Sequence, residues 1–351
     1  MMYFLVAFGG AIFFTFIVRK LAITSNILDR PEGNRKKHQI PVPLLGGVGI
    51  WVSFWLVVGY IVFFTSLFGK SVNSPQLLGI FIGSLIVIIL GVLDDKYSLS
   101  PRVRLPTTLL AAFIVVISGV SLREITNPFG GVLNLNIWPI SIESLGRMFI
   151  FGDIVVFFWL VGMMYTTKIL DGLDGLATGI TTIGAFMIFF LTQTTRFFQP
   201  EVGLLALVFA GCCLGFLVFN FNPARIFLGE SGSLFLGFFM GTLAVISGGK
   251  IATALLVMAV PILDLARVLI VRIVSGKKIS EGDREHLHFK LLDRGISVRK
   301  TVLLLYAVSF LFGITTLVLP SRMKFVVLII LMLSMVGVGV WLQVGDRAQK
   351  I

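Results

Sequence analysis

Carboxylates cluster in a chain that has few of them. In "KILDGLDGLATG", Lys168 to Gly179, Asp171 and Asp174 stand three residues apart, each followed by a glycine. That spacing puts both on one side of a helical turn. Gly172 and Gly175 let a ligand come close to the backbone. "GVLDDKYSLSPRVRL" supplies an adjacent pair, Asp94 and Asp95, followed by Lys96, Arg102 and Arg104. Neighbouring carboxylates repel when both are ionised, unless a cation neutralises them. Hard oxygen ligands suit Mg2+, which usually binds through one or two carboxylates and substrate phosphates. "NFNPARIFLGESGSLFLG" adds Asn220, Asn222, Arg225, Phe227 and Glu230, the last in a glycine-flanked turn. "EGDREHLHFKLLDRG" brings two of the three histidines, His286 and His288, among Arg284, Lys290 and Arg294. A helix would turn these two histidines, at i and i+2, to different faces. Zinc is not expected there, because no cysteine or further histidine lies near to complete a tetrahedron. Anion binding fits better. Each stretch taken alone also has a plain reading, as a solvated helix cap or a basic loop. Together they describe phosphoryl transfer with Mg2+, chemistry that relies on positioning and charge neutralisation.

The elements that must position these groups are membrane helices. Of 351 residues 57% are hydrophobic and only 13% charged, with 33 phenylalanines, which excludes a soluble globule. Eleven runs are long and apolar enough to span a bilayer: 2–18, 44–68, 76–93, 105–122, 150–167, 173–192, 202–219, 232–248, 251–274, 301–319 and 325–344. Helices are expected throughout, since in lipid a helix satisfies its own backbone groups. The expected fold is one all-α polytopic domain over residues 1–351, with about eleven transmembrane helices. The first run has no small-residue cleavage site after it and reads as a retained span. Cys212 and Cys213 are adjacent within a span and read as small packing residues.

The loops after odd-numbered spans cover approximately 19–43, 94–104, 168–175, 220–232 and 275–300. The alternate loops hold only Lys70, Arg123, Arg147, Arg196, Lys250, Arg322 and Lys324 of the 29 Lys and Arg. Positive residues stay inside, so the odd loops and the C-terminus are expected in the cytoplasm and the N-terminus outside. The net charge of +12 follows from that topology, and a basic face also attracts anionic substrates or lipids. Asp94, Asp95, Asp171, Asp174, Glu230 and both clustered histidines all fall on odd loops. A transporter would place its ionisable residues at mid-membrane depth instead. A lipid or nucleotide-sugar transporter and an inactive scaffold are the alternatives from other classes.

The order of the motifs resembles the polyprenyl-phosphate N-acetylhexosamine-1-phosphate transferases over about residues 28–297. "RPEGNRKKHQIPVPLLGG", which contains His38, resembles that family's first cytoplasmic loop. "GVLDDKYSLSPRVRL", "ILDGLDGLATG", "NPARIFLGESGS" and "DREHLHFKLLDRG" resemble its Asp-Asp, nucleotide, metal and histidine motifs. The resemblance implies transfer of a sugar-1-phosphate from a UDP-sugar to undecaprenyl phosphate, with release of UMP, in the bacterial cytoplasmic membrane. Carried over residue by residue, Asp94 and Asp95 would sit by the lipid phosphate, one as base or positioner, beside Arg104. Asp171 and Asp174 would line the nucleotide pocket, with Asp174 reading uracil and Phe227 stacking on it. Lys168, Gly172 and Asn220 would bind substrate, Lys168 as a cation that can meet a phosphate. Glu230, with Asp171, would hold Mg2+, for which Mn2+ could substitute. His286 and His288 would face the diphosphate or sugar, and His38 would bind substrate. No nucleic-acid partner is implied, and a homodimer is left open. Three positions depart from the family's usual residues: Lys168 replaces an asparagine, Glu230 an aspartate, and Phe289 the third histidine. The His-x-His pattern and the span count look more like the GlcNAc branch than the MurNAc-pentapeptide branch, with another N-acetylhexosamine as a further alternative.

Overall fold

The apolar runs fold as helices, as the hydrogen-bonding demand of a lipid surround requires. The computed structural model describes residues 1–31, 40–127, 129–137, 139–142, 146–248, 251–274 and 286–348. The helices are α1 (Met2–Thr24), α2 (Gly46–Phe64), α3 (Ser74–Tyr97), α4 (Pro101–Ile117), α5 (Ile150–Leu170), α6 (Leu176–Thr192), α7 (Pro200–Asn220), α8 (Gly229–Ile246), α9 (Ile251–Val257), α10 (Ala259–Val274), α11 (Leu287–Asp293), α12 (Val298–Val318) and α13 (Ser321–Ala348). Three two-stranded antiparallel ribbons accompany them. Strands β1 (Leu28–Asp29) and β2 (Val42–Pro43) pair between α1 and α2. Strands β3 (Glu124–Thr126) and β4 (Val132–Asn134), then β5 (Pro139–Ile142) and β6 (Gly146–Phe149), form hairpins between α4 and α5.

The helical membrane architecture is as expected, while the described helices do not by themselves establish the count of eleven. Among the described residues seven helices are long and apolar enough to cross a membrane, or eight if α9 and α10 count as one broken span. Helices α4 and α6 have 17 residues each, and α4 carries Pro106 inside it and starts with Arg102 and Arg104 in its first turn. Between α9 and α10 the axis bends by 76°.

Helix α8 is the axis of the bundle, touched by α2, α3, α5, α6, α7 and α9. Every residue from Ser231 to Val245 is buried. Small residues permit this closeness, as they do wherever helices pack without a hydrophobic driving force between them. A Cβ on Gly47 of α2 would stand 2.1 Å from Gly232 Cα, and one on Gly91 of α3 2.1 Å from Ser231 Cα. The buried aromatic core, Phe54, Phe209, Phe235 and Phe239, fills the space around it, with Phe54 and Phe239 rings 4.4 Å apart. Both cysteines are buried in α7, as their packing role required.

Chain alternation sets the ends. The C-termini of α3, α5 and α7 meet the N-termini of α4, α6 and α8 at one end of the bundle. At the other end the Glu201 carboxylate, 4% exposed, accepts the N–H groups of Lys70, Ser71 and Val72 and ties the α2–α3 connection to α7.

Candidate active site

The N-terminus of α8 organises the acidic end. Gly229, at φ +72°, turns the chain into the helix, and a Cβ there would stand 2.3 Å from Asp95 Oδ2. The Asp95 carboxylate fills that space. Its Oδ1 accepts the Glu230 N–H at 2.8 Å and its Oδ2 the Ser231 hydroxyl at 3.3 Å. A carboxylate there satisfies orphan donors and complements the helix dipole. The neighbouring Asp94 is differently placed. Its Oδ2 accepts from Arg104 at 3.4 Å, while its Oδ1 is buried without a hydrogen-bond partner. Both residues sit in the last turn of α3 rather than in a loop, and Ser98 ends that helix in the left-handed conformation.

The "DGLDG" turn connects α5 to α6. Asp171 caps the end of α5, and Gly175, at φ +79°, opens α6. Asp171 lies half-buried against three other acids. Desolvation, then the charges of Asp95, Glu230 and Asp174, hold its carboxyl well above the usual carboxylate range. The Asp174 carboxylate reaches across to the segment after α7, accepting from Asn222 Nδ2 at 2.8 Å and the Ala224 N–H at 3.0 Å. Asn220 is 2% exposed, and its amide is committed to the protein. Its Oδ1 accepts from Gly175 N–H and the Thr178 hydroxyl, and its Nδ2 donates to Ile226 O. It shapes the turn instead of presenting a free amide. The Lys168 ammonium is ion-paired with Glu230.

These residues wall a cavity of about 930 Å3. Asp94, Asp95, Asp171, Gly172, Asp174, Asn220, Phe227 and Glu230 all line it. Residues chosen from three separate sequence stretches thus converge. An apolar wall faces them, made of Leu28, Ile40, Val42, Leu44, Leu173, Phe289, Leu292 and Val298. Lys168 and Arg104 stand behind the lining, each on one of its carboxylates. His38 lies outside the described residues.

The histidines correct the expectation drawn from their spacing. His286 precedes α11 in an extended conformation, so the i, i+2 pair does not share a helix, and the two rings stack at 5.8 Å and 5°. Neither lines the large cavity. His288 lies just behind it, with Nε2 buried, unpartnered and 2.4 Å from where a Gly172 Cβ would be. Burial pushes its imidazole down to about 4, so it is neutral at physiological pH. Sequence reading missed three residues. Asp29 and Arg30 line the cavity from the first ribbon and its flank. Asp264, buried on α10, stands 2.9 Å from His286 Nδ1. A carboxylate three residues before Arg267 in an apolar run was the available signal for it.

The donor set is hard: carboxylate oxygens, without sulfur. Among the described residues no three His, Cys, Asp or Glu side chains are gathered closely enough to hold an ion by themselves. A site for Mg2+ completed by substrate phosphates does not need three. Among the described residues five acids chosen from the sequence line the cavity, with Arg104 on Asp94 and Lys168 on Glu230, which leaves room for a further cation. The Asp94 Oδ1, without a hydrogen-bond partner, is an acceptor for one or for a proton.

Comparison with known proteins finds relatives over most of this chain. Residues 77–248 match the profile of "Glycosyl transferase family 4". A probable undecaprenyl-phosphate N-acetylglucosaminyl 1-phosphate transferase of Bacillus subtilis is 32% identical over 91% of this chain and 84% of its own length. An undecaprenyl-phosphate alpha-N-acetylglucosaminyl 1-phosphate transferase of Thermotoga maritima is 29% identical over 86% and 85%. A phospho-N-acetylmuramoyl-pentapeptide-transferase of Listeria monocytogenes is 33% identical over 81% and 85%. With a relative 32% identical over 91% of this chain and the family profile matched over residues 77–248, this chain belongs to glycosyl transferase family 4.

Proposed function

We propose that the protein transfers GlcNAc-1-phosphate from UDP-GlcNAc to undecaprenyl phosphate, releasing UMP, at the cytoplasmic face of a bacterial inner membrane. The observation that carries this reading is the single cavity in which Asp94, Asp171, Asp174 and Glu230 meet an apolar wall at one end of a helical bundle. A water-soluble nucleotide sugar and a lipid-held phosphate can meet there. The names of the Bacillus and Thermotoga relatives support the acceptor and the sugar. The bias of Lys and Arg toward this end supports the cytoplasmic side.

In the reaction, an oxygen of the lipid phosphate bonds to the β-phosphorus of the UDP-sugar. The bond from that phosphorus to the bridging oxygen breaks, and UMP leaves with the oxygen. Asp94 takes the proton of the lipid phosphate through its unpartnered Oδ1, while Arg104 holds the carboxylate from behind. Asp95 is occupied with the start of α8 and serves as a positioner. Asp174 and Phe227 hold the nucleotide, Asp174 through the oxygen left free by Asn222 and Ala224. Glu230 and Asp171 would hold Mg2+, or Mn2+ in its place, which when bound neutralises the diphosphate. Lys168, now on Glu230, is within reach of the same charge.

The test is UMP release by the purified protein in detergent with undecaprenyl phosphate and either UDP-GlcNAc or UDP-MurNAc-pentapeptide. Release with UDP-GlcNAc alone supports the reading. Release with the pentapeptide substrate alone would replace it by the activity named for the Listeria relative, whose 33% identity makes it the second reading. No release with either, or with other UDP-N-acetylhexosamines, would refute transfer.

A further inference from the structure

Asp264 lies on α10, beyond the 76° break that separates it from α9, and is 5% exposed. An ionised carboxylate in an apolar run is costly unless paired. This one is paired on every side. Arg267 donates to Oδ1 from Nη2 at 2.8 Å and from Nε at 3.2 Å. The Leu287 N–H, at the start of α11, lies 3.1 Å from both carboxylate oxygens. His286 Nδ1 stands 2.9 Å from Oδ2. One side chain therefore ties the bent span, the start of α11 and an imidazole together.

The contacts continue to the cavity. The His286 ring lies parallel to His288, and His288 packs on Phe289 with ring centres 4.3 Å apart. His288 Nε2 abuts Gly172, between the two acids of the nucleotide turn. Phe289 and Leu292, on the same short helix, form part of the cavity wall. A histidine whose Nδ1–H is held by a carboxylate has its tautomer and ring plane fixed, and its other nitrogen is left as the acceptor.

We propose that Asp264 is a positioning residue of the transfer site, which through His286 and the His286–His288 stack sets α11 and the imidazoles against the Asp171–Asp174 turn. Only the kinetic arm of its test rests on the transferase reading. The contact itself is read by nuclear magnetic resonance on protein labelled with 15N-histidine, which is tractable because the chain has three histidines. The wild type should show a hydrogen-bonded Nδ1–H signal that disappears in His286→Gln and in Asp264→Asn. In the kinetic arm, Asp264→Asn should lower kcat about 10–100-fold, the usual cost of removing a partner that orients a functional histidine. KM for UDP-GlcNAc should change by less than about threefold, because no substrate contact is lost. Asp264→Glu, which keeps the carboxylate, should recover part of the rate. The Asp264→Asn/His286→Gln double variant should be no slower than His286→Gln alone, since residues acting as one unit are not additive. Losses that multiply in the double variant would overturn the proposal. So would a wild-type His286 protonated on Nε2, a result that needs no variant of Asp264 to fold. Absence of UMP release by the wild type would refute the transferase reading without touching the resonance.

Discussion

Adjacent carboxylates with unlike surroundings should respond differently to the same substitution, and Asp94 and Asp95 offer that contrast. Removing the Asp95 side chain strips two acceptors from the first turn of α8, those of the Glu230 N–H and the Ser231 hydroxyl. A lost N-cap costs about 0.5–2 kcal/mol, and hydrogen bonds to a charged group about 1.5–3 kcal/mol. Relief of repulsion from Glu230 offsets part of this. The net loss for Asp95→Ala is about 1–2 kcal/mol, a fall of a few degrees in melting temperature. Asp95→Asn keeps an acceptor oxygen at the cap, so its stability should lie near the wild type. Asp94→Asn breaks no cap. It removes the charge from a carboxylate whose Oδ1 has no partner and whose Oδ2 meets the part-exposed Arg104 at 3.4 Å, so it should cost stability about 1 kcal/mol at most. A lost general base typically costs about 10²–10⁴-fold in rate. The assays are thermal unfolding in detergent and UMP release at saturating undecaprenyl phosphate. Turnover by Asp94→Asn within about threefold of the wild type would refute the base assignment. Unaltered melting of Asp95→Ala would refute the cap.

Three further outcomes follow from the same geometry. Asp174→Ala should raise KM for the UDP-sugar and also destabilise the fold by about 1–3 kcal/mol, because Asn222 and the Ala224 N–H lose their acceptor; a variant as stable as the wild type would contradict that bond pair. Glu230→Gln should lose nearly all turnover without recovery in a Mg2+ titration, since it removes the anion and leaves Lys168 without its partner. The third concerns pH. The His288 imidazole is held neutral in the fold, down to about 4 from an ordinary 6.5, so the unfolded chain takes the proton first as pH falls. Its contribution to stability is intact above about pH 6.5 and is lost between there and pH 4, about 2 kcal/mol by pH 5. Denaturation at pH 7 and pH 5 should show that loss in the wild type and less of it in His288→Gln.

Much of the site was legible because ionisable residues are conspicuous in an apolar chain. Asp94, Asp95, Asp171, Asp174 and Glu230 could be picked out by type and spacing, and they do line one cavity. What spacing could not show was the division of labour within it. Asp95 is a cap only because α8 arrives beside α3, which depends on Gly91 admitting the Ser231 backbone and Gly229 admitting the Asp95 carboxylate where a Cβ would clash. Asn220 reads as a ligand-facing amide until its oxygen is found on Gly175 and Thr178. The histidine pair was read with the period of a helix, but His286 is the extended residue before one. Among the described residues seven or eight helices are long and apolar enough to span, because α4 and α6 have 17 residues each and the run 251–274 is broken between α9 and α10. Pro261, in the first turn of α10, was the local sign of that break.

The placement of the acids explains why this chemistry suits the most buried helix of the bundle. The start of α8 presents backbone N–H groups and the positive end of a helix dipole, which favour anions at that point. Asp95 takes up that capacity, and Gly47, Gly91 and Gly232 bring α2 and α3 close enough for it to do so. Glu230, in the same turn, must then look elsewhere for positive charge, and in this structure it finds Lys168 from the end of α5. Asp171, one residue past that helix, has no such partner among the described residues and is surrounded by acids instead. The two ends of α5 and α8 are therefore balanced by one lysine. A divalent cation arriving with a diphosphate would enter where Asp171 and Glu230 leave negative charge in excess. Lys168→Met sharpens this into a measurement: it should tighten binding of Mg2+ to the substrate-free protein, read by calorimetry, because Glu230 loses its internal competitor. It should slow turnover as well, because the ammonium no longer meets the diphosphate. Weaker Mg2+ binding by Lys168→Met would show that the lysine supports the metal's place instead of competing for it.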